Sequence, residues 1–234
     1  MRILAMDTAT SACSVALWCD GTIIQHRLSA MTRGQAEALA PMVADVLDAS
    51  DSVAADLDLL AVTIGPGAFT GLRIGLAMAR AMALALKIPC LGLTTTEAIA
   101  AAVEDTAWPT GTLLVALDSK RSDMYVQTFS KPGQATAAPQ AVEPENLAAW
   151  MAGAARPISV VGDATVQALT VLAEVGVEAF AVPASGVADA GVVAALAARR
   201  WSTGDHGDPL APVGPLYLRP PDAKLPRDGG SLRP

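Results

Sequence analysis

The chain contains one pattern twice: an apolar strand that ends in aspartate and leads through a turn into a second strand. The two copies are ILAMDTAT at residues 3–10 and LLVALDSK at residues 113–120. After each copy, further apolar strands alternate with helix-like segments, which is typical of α/β proteins. The repetition predicts an α/β protein of two similar lobes, each with its own sheet flanked by helices.

The lobe boundaries follow from the same pattern. The first lobe is expected to cover residues 1–103 and the second lobe residues 104–220, with the last helix and the tail free to pack back on the first lobe. The end of the chain is rich in Pro and Gly and has no periodic apolar pattern. Residues 221–234 are therefore predicted to form a disordered tail.

The composition limits the classes of function. Acidic residues outnumber basic ones by 23 to 16, for a formal net charge of −7, so direct gripping of a nucleic-acid backbone is not expected. Cys13, Cys19 and Cys90 are too few and too scattered for a disulfide framework or a metal knuckle, and they fit a reducing cytosol. Asp7 interrupts the apolar start too early for a secretory leader, and the most apolar segment, residues 74–93, contains charges and a proline. We expect a soluble, cytoplasmic protein without membrane contact.

The segment IGPGAFTGLRIG, residues 64–75, stands between an apolar strand and a helix, where phosphate-binding loops occur. A Walker loop needs lysine directly after its last glycine, and here Leu72 follows Gly71. A dinucleotide fingerprint has two residues between its last two glycines, and here there are three, so only a looser version of it remains as an alternative. We interpret the segment as a tight strand-to-helix turn with close backbone packing. Its predicted structural residues are Gly65, Gly67, Gly71, Thr70 as the cap of a helix that begins near Leu72, and Arg73 as a structural or solvated charge.

Two helices are predicted in the first lobe. In RGQAEALAPMVADVLDAS, residues 33–50, apolar residues recur at helical spacing. The segment LRIGLAMARAMALALK, residues 72–87, consists of good helix formers and is apolar on nearly every side. A helix of that kind must be covered, either inside the fold or by another subunit.

Together these motifs resemble one family. IGPGAFTGLRIG, the opening ILAMDTAT, the second-lobe segment LDSKRSDMYV and the closing PLYLR are similar to TsaB, and the resemblance covers essentially residues 1–220. It implies a two-lobed, actin-like and sugar-kinase-like (ASKHA) fold with duplicated mixed β-sheets. It also implies a non-catalytic subunit in the biosynthesis of the threonylcarbamoyl group on the tRNA adenosine beside the anticodon.

The resemblance also implies the partners. They are the catalytic paralogue TsaD, bound through helices of the first lobe, the ATPase TsaE, and TsaC upstream in the pathway, with tRNA contacted only indirectly. A second copy of the chain is expected on the same face when TsaD is absent, because methionines adapt to more than one partner. The predicted partner-binding residues are Leu39, Met42, Val43, Val46, Ile74, Gly75, Met78, Ala81 and Met82.

The same resemblance places a vestigial nucleotide cleft at the strand ends of the two copies. Its predicted residues are Asp7, Thr8, Asp118, Ser119 and Gly162. Two carboxylates in a cleft can hold a hydrated metal ion; the preferred interpretation is that Asp7 and Asp118 each accept hydrogen bonds from their own turn. The adenosine loop of related proteins has one counterpart, VVGDAT at residues 160–165, with a single glycine. We therefore expect no required cofactor and at most weak nucleotide binding in the complex.

Catalytic and metal-binding residues are not expected. Catalytic relatives resembling TsaD carry two metal-binding histidines on the first helix, but RGQAEALAP has none, and Gln35 departs from the single His that TsaB relatives usually show there. His26 and His206 lack the spacing of metal ligands, and no base is placed beside a Ser or Cys nucleophile. The alternative function is a stand-alone ATPase or kinase that uses Asp7 and Asp118.

Overall fold

The structure is a computed structural model that describes residues 1–104, 107–108, 110–208 and 211–219. The predicted tail at residues 221–234 lies outside this range. The described chain forms two β-sheets with helices packed on them.

The first sheet consists of five strands: β1 (Arg2–Asp7), β2 (Ala12–Cys19), β3 (Thr22–Ala30), β4 (Leu59–Gly65) and β5 (Cys90–Thr94). Their order across the sheet is β3-β2-β1-β4-β5. β1 runs antiparallel to β2 and parallel to β4. The β2–β3 hairpin turns at Asp20 and Gly21, whose φ angles are 46° and 102°, the left-handed conformation that a tight hairpin requires.

The second sheet consists of six strands: β6 (Thr112–Asp118), β7 (Met124–Lys131), β8 (Gln134–Ala135), β9 (Gln140–Val142), β10 (Ile158–Val161) and β11 (Ala179–Ala181). Their order is β11-β10-β6-β7-β8, and β9 also pairs with β7. β6 runs antiparallel to β7 and parallel to β10, which repeats the connectivity of the first sheet. The predicted α/β class with duplicated mixed sheets is thereby confirmed.

Within the described residues, six α-helices pack on the sheets: α1 (Gln35–Asp48), α2 (Phe69–Leu86), α3 (Thr95–Ala101), α4 (Leu147–Trp150), α5 (Thr165–Glu174) and α6 (Ala190–Thr203). α1 and α2 lie side by side on one face of the first sheet, and α6 crosses its other face together with α3. α3 also contacts the second sheet, and α4 and α5 pack with that sheet in a core of their own. The last long helix thus lies against the first lobe.

Each sheet contributes side chains to two cores, one on each face, because successive side chains of a strand point to opposite faces. In β1, Leu4 and Met6 pack with α1 and α2, whereas Ile3 and Ala5 belong to a central core with α3 and α6. That central core also contains residues of β6, such as Val115. Apolar packing therefore joins the two lobes.

The segment 211–219 runs from one lobe to the other. The Leu216 N–H donates to the Ile64 carbonyl oxygen at 2.7 Å in the first lobe. Arg219 forms an ion pair with Asp123 in the second lobe, where the Asp123 side chain is only 2% exposed. The segment is held at both ends and crosses the boundary between the lobes.

Candidate functional site

The glycine loop packs tightly against the β1–β2 turn. Gly65 has a φ of +113°, and a Cβ atom at Gly71 would lie 2.0 Å from the Thr8 carbonyl oxygen. A Cβ atom at Gly67 would lie 2.4 Å from the Ala9 carbonyl oxygen. This is the tight turn with close backbone packing that the sequence indicated. The two backbone segments lie too close together for a ligand phosphate to fit between them.

Thr70 does not have the predicted capping role. α2 begins at Phe69 rather than near Leu72, its N-cap residue is Ala68, and no side chain accepts a hydrogen bond at the cap. Thr70 instead lies exposed in the first turn. The Ala68 N–H donates to the Ala9 carbonyl oxygen at 2.8 Å, which ties the start of the helix to the β1–β2 turn.

Asp7 is fully buried and closes its own turn. Its Oδ1 atom accepts hydrogen bonds from the Thr63 hydroxyl at 2.5 Å and the Ala9 N–H at 3.2 Å, and its Oδ2 atom accepts one from the Thr10 hydroxyl at 3.4 Å. Burial raises the pKa of Asp7 to about 6, although the three hydrogen bonds lower it. The carboxylate oxygens therefore face protein donors rather than the space between the lobes.

Asp118 forms the equivalent turn in the second lobe but stays partly exposed. Its Oδ1 atom accepts the Lys120 N–H at 2.6 Å, and its Oδ2 atom pairs with the Lys120 ammonium group at 2.8 Å. Partial burial raises the pKa of Asp118, but the hydrogen bonds and charge of Lys120 outweigh it, so the pKa lies below its ordinary value. Both aspartates thus accept the N–H two residues ahead, as the preferred interpretation expected.

Of the other three predicted cleft residues, two pack inside the lobes and one lines a cleft. Thr8 is 1% exposed and donates its hydroxyl to the Gly71 carbonyl oxygen at 2.7 Å. Gly162 packs against β6, where a Cβ atom would lie 2.0 Å from the Ala116 carbonyl oxygen. Ser119 lines a cleft between the lobes. Of the five predicted residues, only Ser119 is among the residues that line this cleft.

The cleft that Ser119 lines has a volume of about 640 Å³. It lies between the glycine loop with the start of α2, the β6–β7 turn, and residues 216–219. Besides apolar and aromatic side chains it is lined by four basic residues, Arg73, Lys120, Arg121 and Arg219. The sequence contained these residues in LRIG, DSKR and YLR, but nothing in their spacing showed that they converge. Among the described residues, no group of three or more His, Cys, Asp or Glu could hold a metal ion.

Ser14, His26 and Asp189 meet between β2, β3 and the start of α6. The Ser14 hydroxyl lies 3.4 Å from His26 Nε2, and Asp189 Oδ1 lies 3.0 Å from the same nitrogen. A catalytic base uses one ring nitrogen for the nucleophile and the other for the carboxylate. Ser14 is also fully buried and accepts the Ala190 N–H at 3.0 Å. The cluster joins α6 to the first sheet and lacks the geometry of a nucleophile with its base.

α2 presents a second candidate site, an apolar outer side. Its inner side packs on the first sheet, but Leu84 on the outer side is 82% exposed. Ala77, Ala81 and Ala85 are exposed next to it. The described part of the chain therefore leaves this side of α2 exposed, and an exposed apolar helix side is a candidate docking surface.

Four predicted partner-binding residues lie on the wrong side of their helices. Leu39, Val43 and Val46 are 1%, 7% and 0% exposed because they form the core between α1 and the first sheet. A Cβ atom at Gly75 would lie 2.7 Å from the Thr8 hydroxyl oxygen, so this glycine lets α2 approach β1. The prediction that these four residues contact a partner is wrong. The exposed or half-buried side of the helix pair keeps the other predicted residues, Met42, Ile74, Met78, Ala81 and Met82.

α2 is also the one described helix that is long and apolar enough to cross a membrane. Length and composition alone are weak evidence, because helices of soluble proteins can pass the same test. α2 packs along one side on the first sheet and carries exposed Arg73 and Arg80 on the other. We interpret α2 as a helix of the first lobe and not as a membrane span.

Fold and site define a two-lobed α/β protein with duplicated mixed sheets. The family described as "TsaD: tRNA N6-adenosine threonylcarbamoyltransferase" matches residues 29–188. The tRNA threonylcarbamoyladenosine biosynthesis protein TsaB of Escherichia coli is 41% identical over 134 residues, which cover 56% of each chain. The uncharacterized protein Rv3421c of Mycobacterium tuberculosis is 34% identical over 95% of this chain and 93% of its own.

A crystal structure from Pseudomonas aeruginosa, described as an uncharacterized protein with similarity to peptidase YEAZ, has a TM-score of 0.77. It is 28% identical and the match covers 93% of this chain and 99% of that chain. The chain belongs to the family described by the TsaD match, and the resemblance to TsaB is confirmed. The match to the E. coli relative spans about half of that protein's length, 56%.

Proposed function

We propose that the chain is an assembly subunit, without catalysis of its own, in the formation of threonylcarbamoyladenosine beside the tRNA anticodon. Its direct partner is a TsaD-type catalytic subunit, bound by the outer side of α1 and α2. The TsaE ATPase joins this complex, TsaC acts upstream in the pathway, and tRNA is contacted through the partner. The subunit acts in the cytoplasm, needs no cofactor, binds nucleotide at most weakly, and pairs with its own copy when the partner is absent.

The observation that carries this proposal is the exposed apolar side of α2. Leu84 is 82% exposed, and half-buried Ile74, Met78 and Met82 of the same helix also touch the core of the first lobe. Because these three side chains also pack against the core beneath the helix, the apolar patch is a rigid surface. Such a surface is stabilised when a partner removes it from water, by about 25 cal/mol for each Å² of apolar area.

Charges on the two helices favour a particular arrangement of the partner. The exposed charges of α1 are acidic, for example Glu37 and Asp45, whereas the exposed charge of α2 outside the cleft is basic, Arg80. In a two-fold pair the same patch meets itself. Packing α1 against α2 of the partner brings opposite charges together, whereas α1 against α1 brings like charges together. A second copy, or a paralogue with the same pattern, therefore fits in the crossed arrangement.

The proposed lack of catalysis is supported by what the polar groups already do. The Asp7 oxygens accept hydrogen bonds from the first lobe, Asp118 pairs with Lys120, and Ser14 lies fully buried beside His26. A catalytic group must reach a substrate atom within hydrogen-bond distance. These groups reach neighbouring protein atoms instead.

The test is a charge placed in the centre of the patch. Leu84→Glu is compared with Val166→Glu, a matched change on α5, where Val166 is 79% exposed. The chain is co-expressed with the TsaD-family protein of the same organism, and complex mass is measured by light scattering during size exclusion. We expect Leu84→Glu to weaken the complex at least about tenfold, or about 1.4 kcal/mol, whereas Val166→Glu keeps it. Both variants should keep the free energy of unfolding within about 0.5 kcal/mol.

A charge exchange tests the arrangement. Asp45→Lys and Arg80→Glu should each weaken self-association, and the double variant should recover part of it if α1 faces α2 of the partner. A Leu84→Glu chain that binds the TsaD-family protein with unchanged affinity would refute the proposed surface. Turnover of Mg·ATP by the isolated chain, lost in Asp118→Asn, would instead establish the stand-alone ATPase.

A further inference from the structure

Two features join the lobes, a shared core and a chain segment. The central core contains Ile3 and Leu59 of the first sheet together with Val115 and Leu117 of the second sheet. Between the lobes there is also the open cleft, and open space does not oppose a change in the angle between them. Residues 211–219, which we call the strap, run from the first lobe to the second, and their last part forms one wall of this cleft.

The strap is anchored in the first lobe by close packing. Val213 packs with the core under α1 and α2, and a Cβ atom at Gly92 of β5 would lie 2.8 Å from its methyl group. A Cβ atom at Gly65 of β4 would lie 2.9 Å from the Leu216 carbonyl oxygen. The Leu216 N–H donates to the Ile64 carbonyl oxygen at 2.7 Å. Two glycines in neighbouring strands therefore make room for the strap.

Tyr217 extends this anchor to the first turn of α2. Its ring stacks on Phe69 with ring centres 5.4 Å apart, and its hydroxyl accepts the Arg73 Nε–H at 3.0 Å. The first-lobe end of the strap thus has apolar, aromatic and backbone contacts, and no single one of them decides whether it stays in place.

The second-lobe end of the strap is held by charge. Arg219 forms an ion pair with Asp123 and lies 3.6 Å from a carboxylate oxygen of Glu143. The Asp123 side chain is 2% exposed and the Arg219 side chain 30%, and the Ser119 hydroxyl also donates to Asp123. A buried carboxylate is unfavourable unless a cation compensates it. The pair of Arg219 and Asp123, which we call the latch, therefore ties the strap to the second lobe.

We propose that the strap sets the angle between the two lobes and that the latch is the point at which it opens. The two ends differ in kind, because several packed contacts hold the first and a partly buried ion pair holds the second. Without the latch, the lobes stay joined through the central core, about which they can rock as in hinge motions of other two-lobed proteins. The width of the cleft then varies while each lobe keeps its own fold.

The experiment uses the full chain without a partner, so it does not depend on the function proposed above. Residual dipolar couplings of the backbone N–H groups, measured by NMR in a weakly aligned sample, report the orientation of each lobe. In the wild type, the couplings of both lobes should fit one alignment tensor.

The test variant combines Asp123→Asn with Arg219→Ala. It leaves no unpaired buried charge in the second lobe, and Asn keeps an acceptor oxygen for the Ser119 hydroxyl. We expect the variant to lose the common tensor, so that the couplings of the two lobes require two tensors of different magnitude. Within each lobe the couplings should still fit the structure of that lobe.

Two controls and a second measurement separate the latch from the anchor. Arg199→Gln changes an exposed arginine of α6 that does not line the cleft, and Tyr217→Phe keeps both the ring and the latch, so each should retain the common tensor. In the test variant, the hydrogen-exchange rate of the Leu216 N–H should rise by less than about tenfold, because this group belongs to the first-lobe anchor.

Three results would overturn the proposal. One tensor for both lobes in the test variant would show that the central core alone fixes the angle. Two tensors in the wild type would show that the strap does not hold the lobes. A Leu216 exchange rate that rises by more than about tenfold in the test variant would show that the strap detaches as a whole, which would reject the latch as the point of opening.

Discussion

Replacement of Asp7 by asparagine is expected to stabilise the protein at neutral pH. Asn keeps an acceptor oxygen for the Thr63 hydroxyl and the Ala9 N–H, and its amide group can donate to the Thr10 hydroxyl where Oδ2 now accepts. The variant therefore removes the buried charge while keeping the shape and the hydrogen bonds. Few substitutions of a fully buried polar residue are expected to act in this direction.

The size of the effect follows from the pKa of Asp7, which burial raises from 3.8 to about 6. Each pKa unit corresponds to 1.36 kcal/mol, so two units correspond to about 3 kcal/mol. Because the folded-state pKa is raised, the contribution of this carboxyl to stability is fully present below about pH 4 and is lost as the pH rises through about 6. The advantage of Asp7→Asn should therefore grow from near zero at pH 4 to about 3 kcal/mol at pH 8.

The assay is urea unfolding followed by circular dichroism at several pH values between 4.5 and 8. The difference between wild type and variant is the quantity of interest, since it cancels the titration of all other groups. In thermal unfolding at pH 8, the melting temperature of the variant should be about 6–12 °C above that of the wild type for a chain of this size. Asp45→Asn, on the exposed side of α1, serves as control and should show no such pH dependence. A variant that is less stable than wild type at pH 8 would refute the reasoning, because the charged carboxylate would then stabilise the native state.

Two further predictions concern the turns that surround the cleft. Gly71→Ala should lower the free energy of unfolding by about 3 kcal/mol or more, because its Cβ atom would lie 2.0 Å from a carbonyl oxygen of the β1–β2 turn. Urea unfolding measures this loss. The control is Gly153→Ala, where a Cβ atom meets nothing within 4 Å. Lys120→Gln should raise the pKa of Asp118, since it removes the ammonium group that lowers it, and ¹³C NMR of the carboxyl groups measures this against Lys131→Gln; an unchanged titration of Asp118 would contradict the pairing.

Much of the fold could be predicted from the sequence, because the apolar patterns of its main strands and helices extend over more than one structural period. β1, β6 and the Asp20-Gly21 hairpin are visible locally, and the two copies show the duplication. β8, β9 and β11 have no such pattern in the sequence because they contain two or three residues, too few for an alternation to appear. Their extended conformation comes from pairing with β7 and β10, which is a property of the assembled sheet.

The docking residues were harder to predict, because helical periodicity shows which residues share a side of a helix but not what that side contacts. In α1 the apolar stripe is needed by the first sheet, so Leu39 and Val43 are not available to a partner. In α2 both sides are apolar, and the choice is made by size: Gly71 and Gly75 allow a close approach to β1 that larger residues would prevent. Once the small residues face inward, Leu84 must face outward. An 82% exposed leucine contributes little to packing within the described chain, which is why we propose this side of α2 as the docking surface.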